Sequence, residues 1–218
     1  MEVESRVPSG LMEFEYGALG KRGISEETCR KFSYGVGFRN GQPVQVASYR
    51  NEGGEVVAQK LRTADKNFSI LGDGRSLGLW GMHLWGSGKM LVITEGEIDA
   101  MSVSQAQNNK WPVCSIPSGA AAAAKVIRKN IEYLGGFDSV IFMFDQDEPG
   151  QKAAAECASL LPPGTAKIAS LPLKDPNEML LAGRSKEIIS AIWNAKDYRP
   201  DGVVPGEEVW DRVANDDE

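Results

Sequence analysis

The sequence lacks the features that would place it in a membrane or among disulfide-rich secreted proteins. None of its apolar runs approaches the roughly 20 residues that a membrane-spanning helix needs, and the first residues have no signal-peptide character. The three cysteines, Cys29, Cys114 and Cys157, lie far apart and form no CxxC pair. An odd number in that spacing argues against a disulfide framework and against a zinc site, and it predicts a reducing, cytoplasmic setting. Because Cys114 and Cys157 fall in apolar runs, we expect them to be core residues.

The chain also has no overall excess of positive charge, since its net charge is −6. For a nucleic-acid-binding protein the distribution of charge matters more than the sum. Ten lysines and arginines stand against six acids between Lys21 and Arg75, and the acids concentrate in the later half and the tail. This polarity fits a basic lobe that binds a polyphosphate or a nucleic-acid strand, beside an acidic lobe that binds a metal. A solvated basic face without a function is the alternative.

Two carboxylates follow a short apolar run in the later half of the chain. The run, Val140 to Phe144, has the length of a strand and precedes Asp145, Asp147 and the turn pair Pro149-Gly150. A strand between helices is usually buried in a parallel sheet, and ligands bind outside the carboxyl ends of such strands. Oxygen ligands of this kind suit Mg²⁺. The alternative is a turn that merely caps the next helix.

A second acidic cluster follows another short strand pattern, Lys89 to Thr94. Glu95 comes directly after it, and Gly96 lets the backbone turn sharply and leave the carboxylate exposed. Carboxylates from two strand ends of one sheet repel each other unless a cation joins them. We therefore expect Glu95, Asp145 and Asp147 to share a metal ion.

The first part of the chain predicts a small α+β lobe over residues 1–86. Ser25 to Phe32 has the pattern of a capped helix, and two β-like runs, 44–50 and 56–62, flank a turn rich in Asn and Gly. Alternate residues of a strand share a face, so Lys60 and Arg62 point the same way, and Lys66 lies just past the strand. Trp80 and Trp85, in the glycine-rich connection that follows, are interpreted as packing residues rather than platforms for bases.

Residues 87–196 alternate between strand and helix patterns, which predicts a largely parallel sheet with right-handed crossovers. The predicted elements are strand 90–94, helix 97–108, strand 111–116, helix 119–134, strand 139–144, helix 150–161, strand 166–171 and a final pair of helices. Asp175 would emerge at the same sheet edge as the other carboxylates, or cap the helix that begins at Pro176. Residues 197–218 carry eight acids and two bases and predict an extended acidic tail.

Two longer strings carry a family resemblance. They are Thr94-Glu95-Gly96-Glu97-Ile98-Asp99-Ala100 and Phe144-Asp145-Gln146-Asp147-Glu148-Pro149-Gly150. The chain resembles the TOPRIM domain of bacterial-type primases and topoisomerases. Over nearly its whole length it resembles, more narrowly, the primase half of the primase–helicases of T-odd bacteriophages.

This resemblance implies a TOPRIM-type α/β fold and the synthesis of short RNA primers on single-stranded DNA from ribonucleoside triphosphates. It implies Mg²⁺, or Mn²⁺ in its place, held by Glu95, Asp145 and Asp147, or Glu95 acting as a base instead. The residues to which it assigns catalytic roles are Glu95, Asp145, Asp147, Asp175, Lys60 and Lys66. Those that would bind triphosphate or template are Lys60, Arg62 and Lys66. For the lone histidine, His83, a structural role is favoured.

The resemblance also implies partners. In the full protein these would be a fused or associated helicase domain, a zinc-binding domain and a replicative DNA polymerase. No membrane is implied. The location would be the host cytoplasm if a phage encodes the chain. Primases of this kind carry an amino-terminal zinc ribbon, and no cysteine pairs occur here. We therefore expect no zinc in this chain. The chain would be a polymerase-domain fragment or a form without that module, and its priming would be weakly sequence-selective.

Other functions remain open at this point. A phosphatase with an Asp-x-Asp nucleophile would want Thr two residues after the second Asp, where Pro149 stands. A TOPRIM nuclease is chemically closer, whereas a strand-passing topoisomerase needs a further tyrosine domain and much more chain. A non-catalytic module that binds single-stranded DNA is the third alternative, against which the acidic motifs argue.

Overall fold

The structure is a computed structural model that describes residues 10–51, 53–75 and 77–200. It contains two β-sheets, one from each of the predicted lobes. The predicted tail lies mostly outside these residues, because 201–218 are not among them. Within the described ranges, no helix combines the length and the apolar character needed to cross a bilayer.

The first sheet is an antiparallel meander of four strands in the order β1-β2-β3-β4. These strands are β1 (Tyr34–Arg39), β2 (Gln42–Arg50), β3 (Val56–Arg62) and β4 (Phe68–Gly72). Helix α1 (Glu26–Phe32) precedes them, and the Ser25 side chain caps it by accepting a hydrogen bond from the Thr28 amide at 3.2 Å. The predicted helix and hairpin are thus confirmed.

The strand register places the cationic residues of β3 opposite the apolar residues of β4. Lys60 pairs with Ile70, and Arg62 pairs with Phe68. Residues directly opposite each other in an antiparallel pair project from the same face. All four side chains therefore lie on one face of the first sheet, as the sequence predicts for Lys60 and Arg62.

The second sheet has the order β6-β5-β7-β8-β9. Its strands are β5 (Gly88–Thr94), β6 (Val113–Ser115), β7 (Phe137–Met143), β8 (Ala166–Ile168) and β9 (Lys196–Asp197). The first four are parallel, and β9 runs antiparallel to β8 at one edge. The predicted largely parallel α/β sheet is confirmed.

Six helices accompany this sheet in the described residues. They are α2 (Glu97–Ala106), α3 (Ala123–Lys129), α4 (Ile131–Leu134), α5 (Glu148–Ala158), α6 (Pro176–Leu181) and α7 (Ser185–Trp193). One core, shared with the first lobe, contains Phe32, Trp80, Met101 and Met179. A second core contains Ile93, Ile127, Phe142 and Ala154. The sheet is thus covered on both faces, as a parallel sheet requires.

The predicted helix over 119–134 is wrong as a single element. A 3-10 turn (Ala120–Ala122) comes first, and α3 and α4 are separated at Asn130. The buried Asn130 side chain donates a hydrogen bond to the Val126 carbonyl at 2.8 Å. Asparagine side chains that bond to the backbone in this way compete with helix continuation. The break is therefore local chemistry that the alanine-rich pattern concealed.

The strand predicted over 166–171 is shorter in the structure. After β8 ends at Ile168, the Leu171 amide donates to the Gln146 side chain at 3.0 Å instead of to a neighbouring strand. This bond ties the chain that follows β8 to the loop that follows β7. It brings the segment leading to α6 toward the aspartates of that loop.

The three cysteines, Trp80 and Trp85 are structural. Cys29, Cys114 and Cys157 are free thiols and buried. Trp80 is fully buried, and its indole N–H donates to the Ser48 carbonyl of β2 at 3.0 Å. The Trp85 indole donates to the Val113 carbonyl at the same distance. The packing interpretation of both tryptophans is confirmed.

Candidate active site

The candidate site lies where two neighbouring parallel strands of the second sheet end. Thr94, the last residue of β5, is in register with Met143, the last residue of β7. The chain leaves β5 toward β6 on one side and leaves β7 toward β8 on the other. Such a switch point opens a crevice at the carboxyl ends of the strands, where ligands bind in open α/β sheets. Glu95 follows the first of these strands, and Asp145 follows the second.

Glu95 is a partly buried carboxylate with one unsatisfied oxygen. Its Oε1 accepts a hydrogen bond from the Ala120 amide at 3.3 Å, whereas its buried Oε2 has no partner among the described residues. Burial raises the pKa of Glu95, and the negative charges of Asp145 and Asp147 raise it further, whereas the nearby backbone amides of Ala120 and Asp145 lower it. A buried polar atom without a hydrogen-bond partner is rare, and this oxygen is free to bind a cation.

Asp145 and Asp147 share a cation that sequence reasoning missed. The Lys174 Nζ lies 3.4 Å from Asp145 Oδ2 and 3.9 Å from Asp147 Oδ2. Burial raises the pKa of Asp145, the charge of Lys174 lowers it, and Asp175 raises it again. The only signal in the sequence was the position of Lys174, directly before Asp175. Lys174 itself is half exposed, so solvent or a ligand can reach it.

Asp147 and Asp175 each cap a helix. Asp147 Oδ1 accepts from the Gly150 amide at 3.0 Å at the start of α5, and Asp175 Oδ1 accepts from the Glu178 amide at 2.8 Å at the start of α6. The capping roles that the sequence left open are therefore present. Each cap uses the Oδ1 atom of its carboxylate. In Asp147 the other oxygen, Oδ2, faces Lys174.

Asp99 is a further acid of this cluster that was not among the predicted site residues. It lies in the first turn of α2 and accepts a hydrogen bond from the Asn177 amide at 3.4 Å. Burial is the largest cause that raises its pKa well above the ordinary value, and the negative charges of Asp175, Asp145 and Glu95 raise it further. The sequence places Asp99 four residues after Glu95, but this spacing does not predict a contact between them, because Glu95 precedes the helix.

These carboxylates form a strongly negative neighbourhood, but not a ready-made set of metal ligands. Within the ranges that the structure describes, no three His, Cys, Asp or Glu side chains are arranged so that they could hold a metal ion. Burial is the largest cause of the raised pKa values of Glu95, Asp99 and Asp145, and neighbouring carboxylates raise these values further, which reflects an excess of negative charge. The unpartnered Glu95 oxygen and the all-oxygen donor set fit a hard divalent cation, which would relieve that excess.

A cleft of about 620 Å³ separates this edge from the first sheet. Its walls include Lys60 and Arg62 on one side and Glu95, Glu97 and Gly119 on the other. Of the predicted site residues, Lys60 and Arg62 therefore face Glu95 across this cavity, whereas Asp145, Asp147, Asp175 and Lys66 are not among the residues that line it. Such a cavity can take an anionic ligand together with a cation.

Lys60 is not available to a ligand in this arrangement. Its ammonium group lies 2.9 and 3.1 Å from the two carboxylate oxygens of Glu97, and it donates to the Pro117 carbonyl at 2.7 Å. An ammonium group has three donors, so all of them are used within the protein. Lys60 thus holds Glu97 and the loop at Pro117 in place.

Lys66 lies away from the acidic wall. It is exposed in the turn between β3 and β4, and it lines a second pocket of about 440 Å³ together with Lys21, Arg22 and Arg62. Arg62 lines both cavities. In the described part of the chain, neither Arg62 nor Lys66 forms an ion pair with a carboxylate. Arg62 therefore connects the first cavity with the basic residues of the second pocket.

His83 belongs to neither pocket. Burial and the charge of Arg50 lower its pKa to about 4. The imidazole is therefore uncharged at neutral pH. This state agrees with the structural role that the sequence favours.

Two family models match the chain, one on each lobe. Residues 15–72 match the N-terminal α+β fold of the bacteriophage T7 DNA helicase/primase, and residues 92–180 match a Toprim-like domain. The DNA helicase/primase of enterobacteria phage T3 is 46% identical over 198 residues, which is 91% of this chain and 35% of that protein. The crystal structure of the primase fragment of the bacteriophage T7 primase-helicase superposes with a TM-score of 0.81 at 44% identity, covering 85% of this chain and 81% of that one. This chain belongs to the T7-type family of phage primase domains.

Family membership confirms the resemblance predicted from the two acidic strings. As a T7-type primase domain, the chain spans about a third of the length of the T3 helicase/primase. The structure of the DnaG catalytic core is also similar, with a TM-score of 0.63 at 16% identity. At that identity the similarity shows a shared primase fold alone.

Proposed function

We propose that this chain joins ribonucleotides into short RNA primers on a single-stranded DNA template. The observation that carries the proposal is the 620 Å³ cleft with Glu95, Glu97 and Asp99 on one wall and Arg62 on the other, in a chain 44% identical to the T7 primase fragment. A nuclease or a simple DNA-binding module accounts less well for this similarity to a primase.

The residues proposed to hold Mg²⁺ or Mn²⁺ are Glu95, Asp145 and Asp147. When bound, the ion would lower the pKa of the attacking 3′ hydroxyl and neutralise charge on the leaving pyrophosphate. Glu95 would accept the hydroxyl proton instead if it is not a ligand, a role that its raised pKa suits. Asp175 and Asp99 support the cluster from α6 and α2.

The remaining work of the site is alignment and neutralisation of charge, because phosphoryl transfer needs little covalent help from side chains. Arg62 presents a planar guanidinium that can bind two phosphate oxygens at once. Lys66 adds charge at the neighbouring pocket, and Lys174 can neutralise phosphate beside the aspartates. Lys60 contributes by fixing the wall of the cleft rather than by contacting phosphate, since its donors are already used.

The proposed partners follow from the relatives. The T3 protein is named a DNA helicase/primase, so we propose that a helicase domain acts with this chain. From the family resemblance we also propose a zinc-binding domain. A T7 structure that is 46% identical shows the lagging-strand DNA polymerase interacting with primase domains bound to an RNA/DNA hybrid and dTTP. We propose single-stranded DNA, ribonucleoside triphosphates and a replicative DNA polymerase as partners here as well.

The test is a synthesis assay with purified protein. The chain is incubated with single-stranded DNA, labelled ribonucleoside triphosphates and Mg²⁺, with and without EDTA, and short RNA is resolved on a gel. Labelled RNA that requires both metal and template supports the proposal. Cleavage of the DNA without RNA would indicate a nuclease, and binding without any product would indicate a non-catalytic module.

A further inference from the structure

Phe68 is an exposed aromatic residue at the mouth of the cleft. Its relative exposure is 58%, and its neighbour on the same strand face, Ile70, is 47% exposed. Both line the cleft beside Lys60 and Arg62. On β4 the apolar side chains of Phe68 and Ile70 are therefore exposed at the open cavity, whereas Ser69 and Leu71 are partly buried. Two neighbouring apolar side chains in a charged cavity call for an apolar ligand surface.

The cations beside Phe68 determine how its ring is placed. The Lys60 Nζ lies over the ring, 4.7 Å from its centroid, and the Arg62 Cζ lies 5.9 Å from it. Lys60 is itself held by Glu97 and the Pro117 carbonyl. A cation held against the ring orients it, and the 58% exposure of Phe68 shows that ring surface remains accessible to a planar partner.

We propose that Phe68 is a stacking platform for the base of the nucleoside triphosphate that the cleft receives. This inference rests on the proposed function for the identity of the ligand. A base on the open face of Phe68 would place its own phosphates near Arg62, which is the cross-strand partner of Phe68. The phosphates would then lie between the guanidinium and the acidic wall. A single bound molecule would thus satisfy the apolar, the basic and the acidic parts of the cleft.

The platform would accept every base, because each base has a π-face. It would contribute affinity and position rather than the choice of base, which a template must supply. Phe68 is therefore a positioning residue for the sugar and the α-phosphate, and it takes no part in bond making.

Phe38 provides a matched control. It is 70% exposed in β1 of the same sheet, but it does not line the cleft. Its cross-strand partner is Pro43, and within the described residues no lysine or arginine stacks on it. A general effect of removing a surface phenylalanine would appear equally at both positions.

The test measures binding of ATP and of CTP to the full chain without template. Loss of stacking on one base corresponds to about a fivefold to 150-fold weaker Kd, so Phe68→Leu should weaken both nucleotides at least about fivefold. Phe68→Tyr, which keeps the π-face, should bind as the unchanged chain does, and so should Phe38→Leu. In Phe68→Trp, added ATP should quench the new tryptophan fluorescence, whereas Phe38→Trp should show no such change.

Unchanged ATP and CTP affinity in Phe68→Leu, or no extra quenching in Phe68→Trp, would overturn the inference. A loss confined to binding of a single-stranded oligodeoxynucleotide would also overturn it, in favour of a template base on the ring. Primer synthesis gives a separate readout, in which Phe68→Leu should raise the KM for nucleotide and leave kcat nearly unchanged. A chain that binds ATP through Phe68 but makes no RNA would refute the proposed function and leave this inference intact.

Discussion

Lys60 of the first sheet and Glu97 of α2 form an ion pair that joins the two lobes. The Nζ atom lies 2.9 Å from Oε1 and 3.1 Å from Oε2, and the side chains are only 13% and 10% exposed. The Tyr49 hydroxyl donates to the same Oε1 at 2.7 Å. The distance between the basic and the acidic walls of the cleft is thus fixed by a buried polar network rather than by apolar contact alone.

Removing one partner of this pair should destabilise the protein strongly. Lys60→Met leaves the Glu97 carboxylate buried without its cation, and breaking a buried pair in this way costs about 3–5 kcal/mol. Urea unfolding measures the loss. The exposed pair Lys167–Asp197 supplies the control, since its Nζ to Oδ1 distance is 2.6 Å but Lys167→Met should cost no more than about 1 kcal/mol. Equal losses for the two variants would show that the Lys60 pair is not buried in solution.

Replacing one aspartate of the site should abolish primer synthesis without unfolding the protein. We expect Asp145→Asn and Asp147→Asn to reduce the rate of primer synthesis by more than the roughly 10- to 100-fold loss of activity that follows removal of an outer-shell partner of a metal ligand. In EDTA the stability of Asp145→Asn should not fall, because burial and Asp175 already raise the pKa of Asp145. Asp138→Asn, an exposed position at the opposite end of β7, is the matched control. An active Asp147→Asn enzyme would contradict the assignment of Asp147 as a ligand.

The acidic cluster should make the metal-free protein less stable as the pH rises. Glu95, Asp99 and Asp145 have raised pKa values in the folded state, so the folded protein retains protons that the unfolded chain has already released. Stability is then lost as the pH rises from the ordinary carboxyl value through the raised values. The opposite shift at Asp197, whose pKa is lowered by Lys167, makes a separate contribution that a metal ion at the cluster does not change.

Mg²⁺ should restore this lost stability. Thermal unfolding with Mg²⁺ and with EDTA is measured from the ordinary carboxyl range to pH 8, and the difference in Tm should grow with pH. The double variant Glu95→Gln/Asp145→Asn should show no such difference. A Mg²⁺ effect that is the same at all pH values, or that survives in the double variant, would place the ion elsewhere.

The sequence predicted the sheet edge because its signals are local. Short apolar runs indicate two strands, and Glu95 and Asp145 follow directly after them. The alternation of strands and helices predicts that the carboxyl ends of these strands lie at one edge of the sheet. Lys174 and Asp99 escaped prediction because their roles depend on how close α6 and α2 approach the loop at Asp145. Contacts of that kind depend on the tertiary packing of several elements, and no short spacing in the sequence encodes them.

The same limit explains Lys60, for which the sequence predicts a triphosphate contact. The β-pattern places Lys60 and Arg62 on one face, and the structure confirms this. The pattern does not reveal that Glu97, on a helix of the other lobe, uses the donors of Lys60, whereas Arg62, which also lines the cleft, forms no ion pair among the described residues. The pairing of a residue with a distant acid is decided by the docking of the lobes around Trp80.

Gly150 should prove essential to the position of Asp145, because a side chain at 150 has no room. A Cβ added there would overlap the Asp145 carbonyl oxygen and lie 3.1 Å from the Asp145 Cβ. The Gly150 amide also donates to Asp147 Oδ1 at 3.0 Å, so any shift of this helix start moves both aspartates. Overpacking of this kind costs about 1–3 kcal/mol. Gly150→Ala should therefore unfold at lower urea concentration and lose Mg²⁺-dependent primer synthesis.

Gly86→Ala, whose Cβ would meet nothing within 4 Å, should retain both the stability and the activity of the unchanged chain. A fully active Gly150→Ala would show that the loop holding Asp145 adapts freely.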